Sequence, residues 1–313
     1  MSSCNSNSYA GFLVFLAASS CLGGLVRSTA AAEVEATSTE LRPGERLTTD
    51  GTLKRDPIFV AGGKAVVYSV DERRVQIRLR RLDLESGENT PLHEDSTTSQ
   101  FGVAFSPDER YYAFNHSTGN LTLKLVIRDT RLKKDAEVTW SGRGGIRSLV
   151  FSPDSRRLLY CFAETGPQQI FSVNTQALDK KQLTYGQGVN NWPSFTPDGK
   201  TIVFGSSRDR TYEIYSMAAD GSKVQRLTQN ETTDIRPQVS PDGRRIAFVS
   251  LRDGNYEVYV MDLDGSNVRR VTHNEERDDY PVWHPDGTRL LVVSERRGRH
   301  DLYLLPLPVS PAS

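Results

Sequence analysis

Several residues in this chain could do chemistry. In "WHPDGTRLLVVS", residues 283–294, His284 stands two residues from Asp286, an imidazole near a carboxylate of the kind that poises a general base. Asp234 and Asp278 lie 44 residues apart and could together hold a divalent cation. Cys161 is a thiol, and Trp192 and Tyr280 are aromatics that could stack on a sugar or a peptide. Each candidate depends on the element that carries it.

His284 loses its special status first. "FTPDGKTIVFGS" at 195–206 and "VSPDGRRIAFVS" at 239–250 share its frame, with Thr196 and Ser240 in its place. A catalytic group has no reason to be copied as a hydroxyl in every unit, whereas a Pro-Asp-Gly turn does. The turn prolines fall at Pro107, Pro153, Pro197, Pro241 and Pro285, in steps of 46, 44, 44 and 44 residues. A degenerate copy at 59–69, "FVAGGKAVVYS", puts Ala61 another 46 residues upstream, which makes six units.

Each unit reads as four short strands. In the fifth these are "RPQVS", "RIAFVS", "YEVYVMDL" and "VRRVT", with turns at Pro241-Asp242-Gly243 and Asp264-Gly265. The second strand is apolar on both faces, so it must be covered on both sides. Four-stranded sheets of about 44 residues, each buried between neighbours, build an all-β, six-bladed β-propeller of antiparallel blades. The last unit lacks a fourth strand like "QRLT" (225–228), and "ERLT" at 45–48 is spare, so the N-terminal strand is expected to complete the last blade.

The frame most complete at 234–272, with its S-P-D-G turn, R-D-G, E-V-Y-x-M-D-x-D-G and R-x-x-T, resembles the repeat of TolB-type (PD40, WD40-like) propellers. The resemblance covers 42–308 and implies the propeller fold. TolB also carries an N-terminal α/β domain, whereas here about ten residues, "EVEATSTELR", separate the leader from the closing strand. The resemblance therefore carries the fold further than it carries TolB's role in the Tol-Pal system.

Residues 9–26 form an uncharged apolar run, followed by Arg27 and by alanines at 30 and 32. That pattern reads as a secretory signal over 1–32, with a linker at 33–41, the propeller at 42–308 and a tail at 309–313. Because "MSSCNSNS" holds no Lys or Arg, an uncleaved membrane anchor is the alternative. Removal of the signal would take Cys4 and Cys21 and leave Cys161 alone in the strand-like "RRLLYCFAE", a buried thiol rather than part of a disulfide or zinc site.

Lys+Arg and Asp+Glu number 39 each, which removes the global basic field that nucleic acid or an anionic membrane would require. There is no G-x-S-x-G, H-E-x-x-H, Walker A or G-x-G-x-x-G sequence, and "MDLDGSN" (261–267) lacks the remaining ligands of a calcium loop. His93, His116 and His273 fall in polar loops, and His300 just precedes a strand. Sequons stand at Asn115, Asn120 and Asn230. The recurrence of Arg208, Asp209 and Glu213 as Arg252, Asp253 and Glu257 points to repeated structural hydrogen bonding.

Where the repeat is not uniform, a site can hide. Seven residues before each turn stand Lys54, Gln100, Ile146, Asn190, Asp234 and Asp278, with Asp279 next to the last. Placed around a channel mouth with Trp192 and Tyr280, the polar members would form a ligand site; the alternative is that they cap strand ends. The expected function is that of an exported, monomeric, non-catalytic scaffold in the periplasm or cell envelope. It would hold an envelope protein or peptide segment, touch the membrane only through an uncleaved signal or a partner, and need no cofactor. Two alternatives stay open: a propeller lyase or hydrolase assisted by a divalent cation at Asp234 and Asp278, and recognition of carbohydrate or cell wall through Trp192 and Tyr280.

Overall fold

The computed structural model describes residues 44–72, 76–117, 123–139, 145–186 and 188–307. The expected signal, linker and tail, and the Asn120 sequon, lie outside these residues. Within the unit that begins at residue 40, the described residues form six antiparallel sheets of four strands each. The fold is the six-bladed propeller that the repeat implies. Its innermost strands are Lys54–Val60, Gln100–Phe105, Arg147–Phe151, Asn190–Phe195, Asp234–Val239 and Asp278–Trp283, which define blades 1 to 6.

The double-faced second strands produce six hydrophobic cores, one at each blade interface. In blade 5, Ile246 and Phe248 pack with Val203 and Ile214 of blade 4, while Ala247 and Val249 pack with Leu290 and Val292 of blade 6. Blade 1 meets blade 6 through Val66, Tyr68, Leu291 and Val293, so the ring of cores is unbroken. Cys161 is fully buried between blades 3 and 4, and burial pushes its thiol far above the usual range, which leaves it unreactive.

The N-terminal strand closes the ring. Glu45 and Arg46 pair with Leu304 and Tyr303, completing the sheet of blade 6. The side chains repeat what the continuous blades do. In blades 4 and 5 a fully buried glutamate near the start of the third strand accepts hydrogen bonds from an arginine of the fourth strand, from the threonine two residues on and from the backbone N–H two residues after that. These sets are Glu213 with Arg226, Thr228 and Asn230, and Glu257 with Arg270, Thr272 and Asn274. In blade 6 the same place holds Asp301, which accepts from Arg46 Nη2 at 2.6 Å, Thr48 Oγ1 at 2.8 Å and the Gly51 N–H at 3.2 Å. Lys54 of blade 1, wholly buried, adds its ammonium at 3.4 Å.

The turns also interlock. Gly199 and Gly243 have φ of +69° and +71°; a Cβ on Gly243 would press against Pro197 of the preceding blade, and one on Gly199 would touch Pro153. Gly63 occupies that place in blade 1, and a Cβ there would meet His284 Nε2 at 2.6 Å and Pro285 Cδ at 3.2 Å. The degenerate "AGG" turn therefore still accepts the turn of the last blade.

Removing the Asp301 carboxylate leaves the buried Thr48 hydroxyl and the Gly51 N–H without their acceptor and takes one of two carboxylates from the wholly buried Lys54, which keeps Asp50, a loss of about 1–3 kcal/mol. Asp301→Ala should lower stability by that order in a urea titration. The Asp301 carboxyl is held below its ordinary range: burial opposes the shift, and Arg46, Thr48, Gly51 and Lys54 outweigh it. A depressed folded value gives stability that is present above the unfolded value, about 3.9, and is lost as pH falls through the folded one. The gap between parent and Asp301→Asn should thus be widest near neutrality and close below about pH 4. A gap unchanged from pH 7 to pH 3 would contradict the latch.

Candidate functional site

Each innermost strand carries the same irregularity one or two residues after its start. The pairing register slips between Arg55 and Ile58, Phe101 and Ala104, Arg147 and Val150, Asn191 and Ser194, Ile235 and Gln238, and Asp279 and Val282. The first residue of every slip is in the left-handed region: Asp56, Gly102, Ser148, Trp192, Arg236 and Tyr280, with φ between 47° and 61°. Such β-bulges re-aim a side chain, and five of the six are not glycine, a conformation that costs of order 1–3 kcal/mol at each such residue. All six line one cavity of about 450 Å³ at the centre of the ring.

The ring expected from the sequence is therefore displaced by two residues. Of the eight candidates, Trp192 and Tyr280 line the cavity. Lys54, Gln100, Asn190, Asp234, Asp278 and Asp279 are buried within or between blades. Asp234 accepts from Arg252 Nη2 at 3.0 Å and from Asn230 Nδ2 at 2.7 Å. Asp278 accepts from Ser294 and from Arg296 Nη1 at 2.9 Å. Asn190 bridges Gln169 and Arg208, and Gln100 meets His93 Nδ1 at 2.6 Å. Ile146 is buried in the core between blades 2 and 3. Asp234 and Asp278 are thus each paired with an arginine of their own blade and do not line the cavity. Among the described residues no group of three or more His, Cys, Asp or Glu side chains could hold a metal ion.

The other candidates are also spent on the scaffold. Ser106, Ser152, Thr196 and Ser240 each donate to the aspartate of their turn, and His284 Nδ1 lies 2.8 Å from the Asp286 carboxylate in that place. Its ring meets Phe59 of blade 1 edge-on, with centroids 4.8 Å apart. His93 joins Gln100 to Tyr112, and His116 contacts Thr98. The sequon at Asn115 is buried in blade 2, and the Asn230 amide donates to Glu213 and Asp234.

The residue missed by sequence reasoning is Arg236. Its guanidinium carbon lies 4.1 Å from the Tyr280 ring centroid and 5.3 Å from that of Trp192, so one face of each aromatic is already taken by a cation. Arg236 Nε stands 3.4 Å from Asp279 Oδ1 without forming a hydrogen bond to it. Asp279 is held in turn by Arg277 and by the Tyr280 N–H. Burial opposes the charge of Arg236, but Asp279, Tyr280 and Asp56 overcome it and raise the group. Gly205 makes the space for Trp192, since a Cβ there would stand 2.8 Å from the indole. Across the ring the lining is small, with Gly102 and Ser148; the Ser148 hydroxyl donates to Asn191 Oδ1 at 2.7 Å. Asp56 is exposed to the channel, within the ring of protein that surrounds it. Desolvation raises its carboxyl and Arg236 pulls it back.

Comparison with known proteins supports the architecture. The family described as TolB beta propeller domain matches residues 66–250, more than half of the chain, and the Tricorn protease N-terminal beta propeller domain matches 211–311. No curated protein sequence matches. A structure described as TolB from Agrobacterium tumefaciens superposes with TM-score 0.65 at 23% identity, covering 84% of this chain and 93% of that one. TolB from Acinetobacter baumannii gives 0.61 at 23% identity, over 77% of this chain and 63% of the other. An oligogalacturonate lyase in complex with manganese gives 0.59 at 16% identity, over 84% and 92%. At these identities the likeness is one of fold.

Two outcomes follow from this geometry. His284→Ser restores the hydroxyl found in blades 2, 3 and 5, so the protein should stay folded and lose about 1 kcal/mol with the Phe59 contact. Loss of a channel ligand in that variant, with melting intact, would return His284 to the site. Asp56 has a folded value above the unfolded one, so its ionised form costs stability above the folded value, and the cost disappears below about pH 4. Asp56→Asn should raise Tm more at pH 7 than at pH 3.5, because asparagine also accepts φ > 0 but that gain is independent of pH. A Tm difference that does not vary with pH would show that the Asp56 carboxyl is not raised by its surroundings in the channel.

Proposed function

The chain belongs to the TolB beta propeller domain family, and from that membership and the lining of its channel we infer that it is a binding scaffold rather than an enzyme. It holds a protein or peptide segment of the cell envelope at the channel. The observation that carries this reading is the division of labour among side chains. The repeated polar groups are consumed by latches and turns, while the six bulged positions around the axis differ from blade to blade and face an open cavity. A concave site with a few converging polar groups and aromatic walls is suited to binding. Cys161, His284, Asp234 and Asp278, the side chains a hydrolase or lyase would draw on, are each buried or paired elsewhere. Export is supported by the uncharged run at 9–26 and the alanines at 30 and 32.

The test is affinity capture from envelope extract with the full chain and with the double variant Trp192→Ser, Tyr280→Ser. Serine is tolerated at this bulge, because Ser148 holds the equivalent place in blade 3. A protein captured by the parent should be reduced more than tenfold with the variant at equal melting temperature. Equal capture by both would place binding outside the channel, and turnover of a substrate by the parent but not the variant would make the protein an enzyme.

A further inference from the structure

We propose that the channel receives a primary ammonium group on an apolar stem, the head of a lysine side chain or the free amino terminus of a peptide, with the Asp56 carboxylate taking the charge. This rests on the binding reading above and names the chemistry of its occupant.

Among the described residues, three charged side chains line the cavity: Asp56, Glu109 and Arg236. Arg236 stands against Asp279 at 3.4 Å, and Glu109, at the turn end, accepts from the Ala61 N–H. Asp56 differs from both. The bulge of blade 1 holds it at φ 47°, it is exposed to the channel, and its carboxylate accepts no hydrogen bond and joins no ion pair among the described residues. The protein around it desolvates the carboxyl and raises it, and Asp279 adds to the rise; Arg236, Arg55 and Arg147 pull it back without cancelling it. Arg55 is itself paired with Asp71 at 3.2 Å. A carboxylate so placed is short of positive charge, and a cation brought beside it is held by a charge-assisted hydrogen bond.

The room for that cation lies on one side of Asp56. Neighbouring innermost strands touch in sequence around the ring, blade 6 closing on blade 1. Blades 4, 5 and 6 carry the large bulge residues Trp192, Arg236 and Tyr280, packed on one another. Blades 2 and 3 carry Gly102 and Ser148, which put no long side chain into the cavity. Gly102 is therefore the immediate neighbour of Asp56 in one direction, and Arg236 is two blades away in the other. An ammonium on the Gly102 side reaches the carboxylate from the side away from the guanidinium.

The rest of the wall selects the stem. Past the bulges, Ile58, Phe105, Leu149, Val150 and Val282 line the cavity and are only half-buried, so they offer apolar surface along the strands. One carboxylate at the end of an aliphatic wall matches a cation on a hydrocarbon chain, the form of a lysine side chain. It does not match a divalent metal ion, which takes about six to eight oxygen ligands when it is calcium and finds no group of three or more His, Cys, Asp or Glu side chains among the described residues. The cavity of about 450 Å³ falls within the roughly 300–1,000 Å³ of small-ligand sites.

The test is calorimetric titration of the full chain with pentylamine, with pentanol as its neutral counterpart, and with two tripeptide amides. Acetylated Ala-Lys-Ala amide offers only the side-chain ammonium, and Leu-Ala-Ala amide only the terminal one; whichever binds more tightly than its N-acetylated neutral form identifies the source. Pentylamine should bind about tenfold or more tighter than pentanol at pH 7. Asp56→Asn, which tolerates positive φ, should bring the amine down to the level of the alcohol. Asp56→Gly, which installs the residue found in blade 2, should do the same and serves if the asparagine variant does not fold. The carboxyl must be ionised to take the cation, so affinity is full above its folded value and is lost as pH falls through it. The parent should bind pentylamine about threefold or more weakly at about pH 3.5 than at pH 7, and Asp56→Asn should show no such change. Equal affinity for amine and alcohol, an amine preference that survives both substitutions, or no binding of amine or peptide at millimolar concentration to a protein with normal melting would each overturn the proposal. Thermal stabilisation by calcium or manganese that exceeds that by pentylamine and depends on Asp56 would make this a metal site instead. If envelope capture depends on Trp192 and Tyr280 while amine and alcohol bind alike, the binding reading stands and the ammonium assignment falls.

Discussion

The structure depends on one interaction shared by blades 4, 5 and 6: a buried carboxylate near the start of the third strand that satisfies the fourth strand and the chain leaving it. Glu213 and Glu257 do this within continuous chain, and Asp301 does it with residues 250 or more positions away in sequence. A carboxylate with no solvent access is stabilised by engaging its lone pairs. Each latch engages an arginine, a threonine hydroxyl and a backbone N–H. At Asp301 the same geometry turns a sheet edge that would invite aggregation into an internal seam, with Lys54 of blade 1 drawn into it. Closure and blade contact are thus one electrostatic event, and the channel exists because the ring is closed.

The second constraint is the bulge. Every innermost strand gives up one step of pairing and turns one residue through positive φ. The recurrence of this feature in all six blades marks it as part of the fold. What varies is the side chain it displays. Evolution of such a ring can change Asp56, Gly102, Ser148, Trp192, Arg236 and Tyr280 without touching the buried residues two positions earlier. The second strand adapts to each choice: Gly205 yields space to the Trp192 indole.

Much of this was legible in the sequence. The six units, the double-faced second strands and the spare "ERLT" segment follow from period and hydrophobic pattern, because a strand covered on both sides leaves no polar alternation to misread. The turn role of His284 followed from its hydroxyl counterparts. The channel ring did not, for a physical reason. The register of a regular strand would point positions 54, 190, 234 and 278 and positions 56, 192, 236 and 280 to the same face, so spacing could not choose between them. The bulge and the second-strand partners decide the matter by burying the first set and exposing the second. Charge misled as well: Asp234 and Asp278 looked like unpaired carboxylates because Arg252 and Arg296 lie 18 residues away. Arg236 was overlooked because a single arginine among 39 basic residues carries no signal until its two aromatic neighbours are placed beside it.

The central claim is that the N-terminal strand is bonded into blade 6 as firmly as any strand is bonded into its blade. Native-state hydrogen exchange measures this directly at the Leu47 amide, which donates to the Leu302 carbonyl at 2.8 Å, and at the Leu302 amide, which donates to Thr48 Oγ1 at 3.0 Å. If the latch closes the ring, both amides exchange only through global unfolding, with the same opening free energy as the Val258 amide that donates to Thr272 Oγ1 in blade 5. If Leu47 exchanges at the rate of a fraying end while Val258 stays protected, the ring is not closed by this strand and the account is wrong.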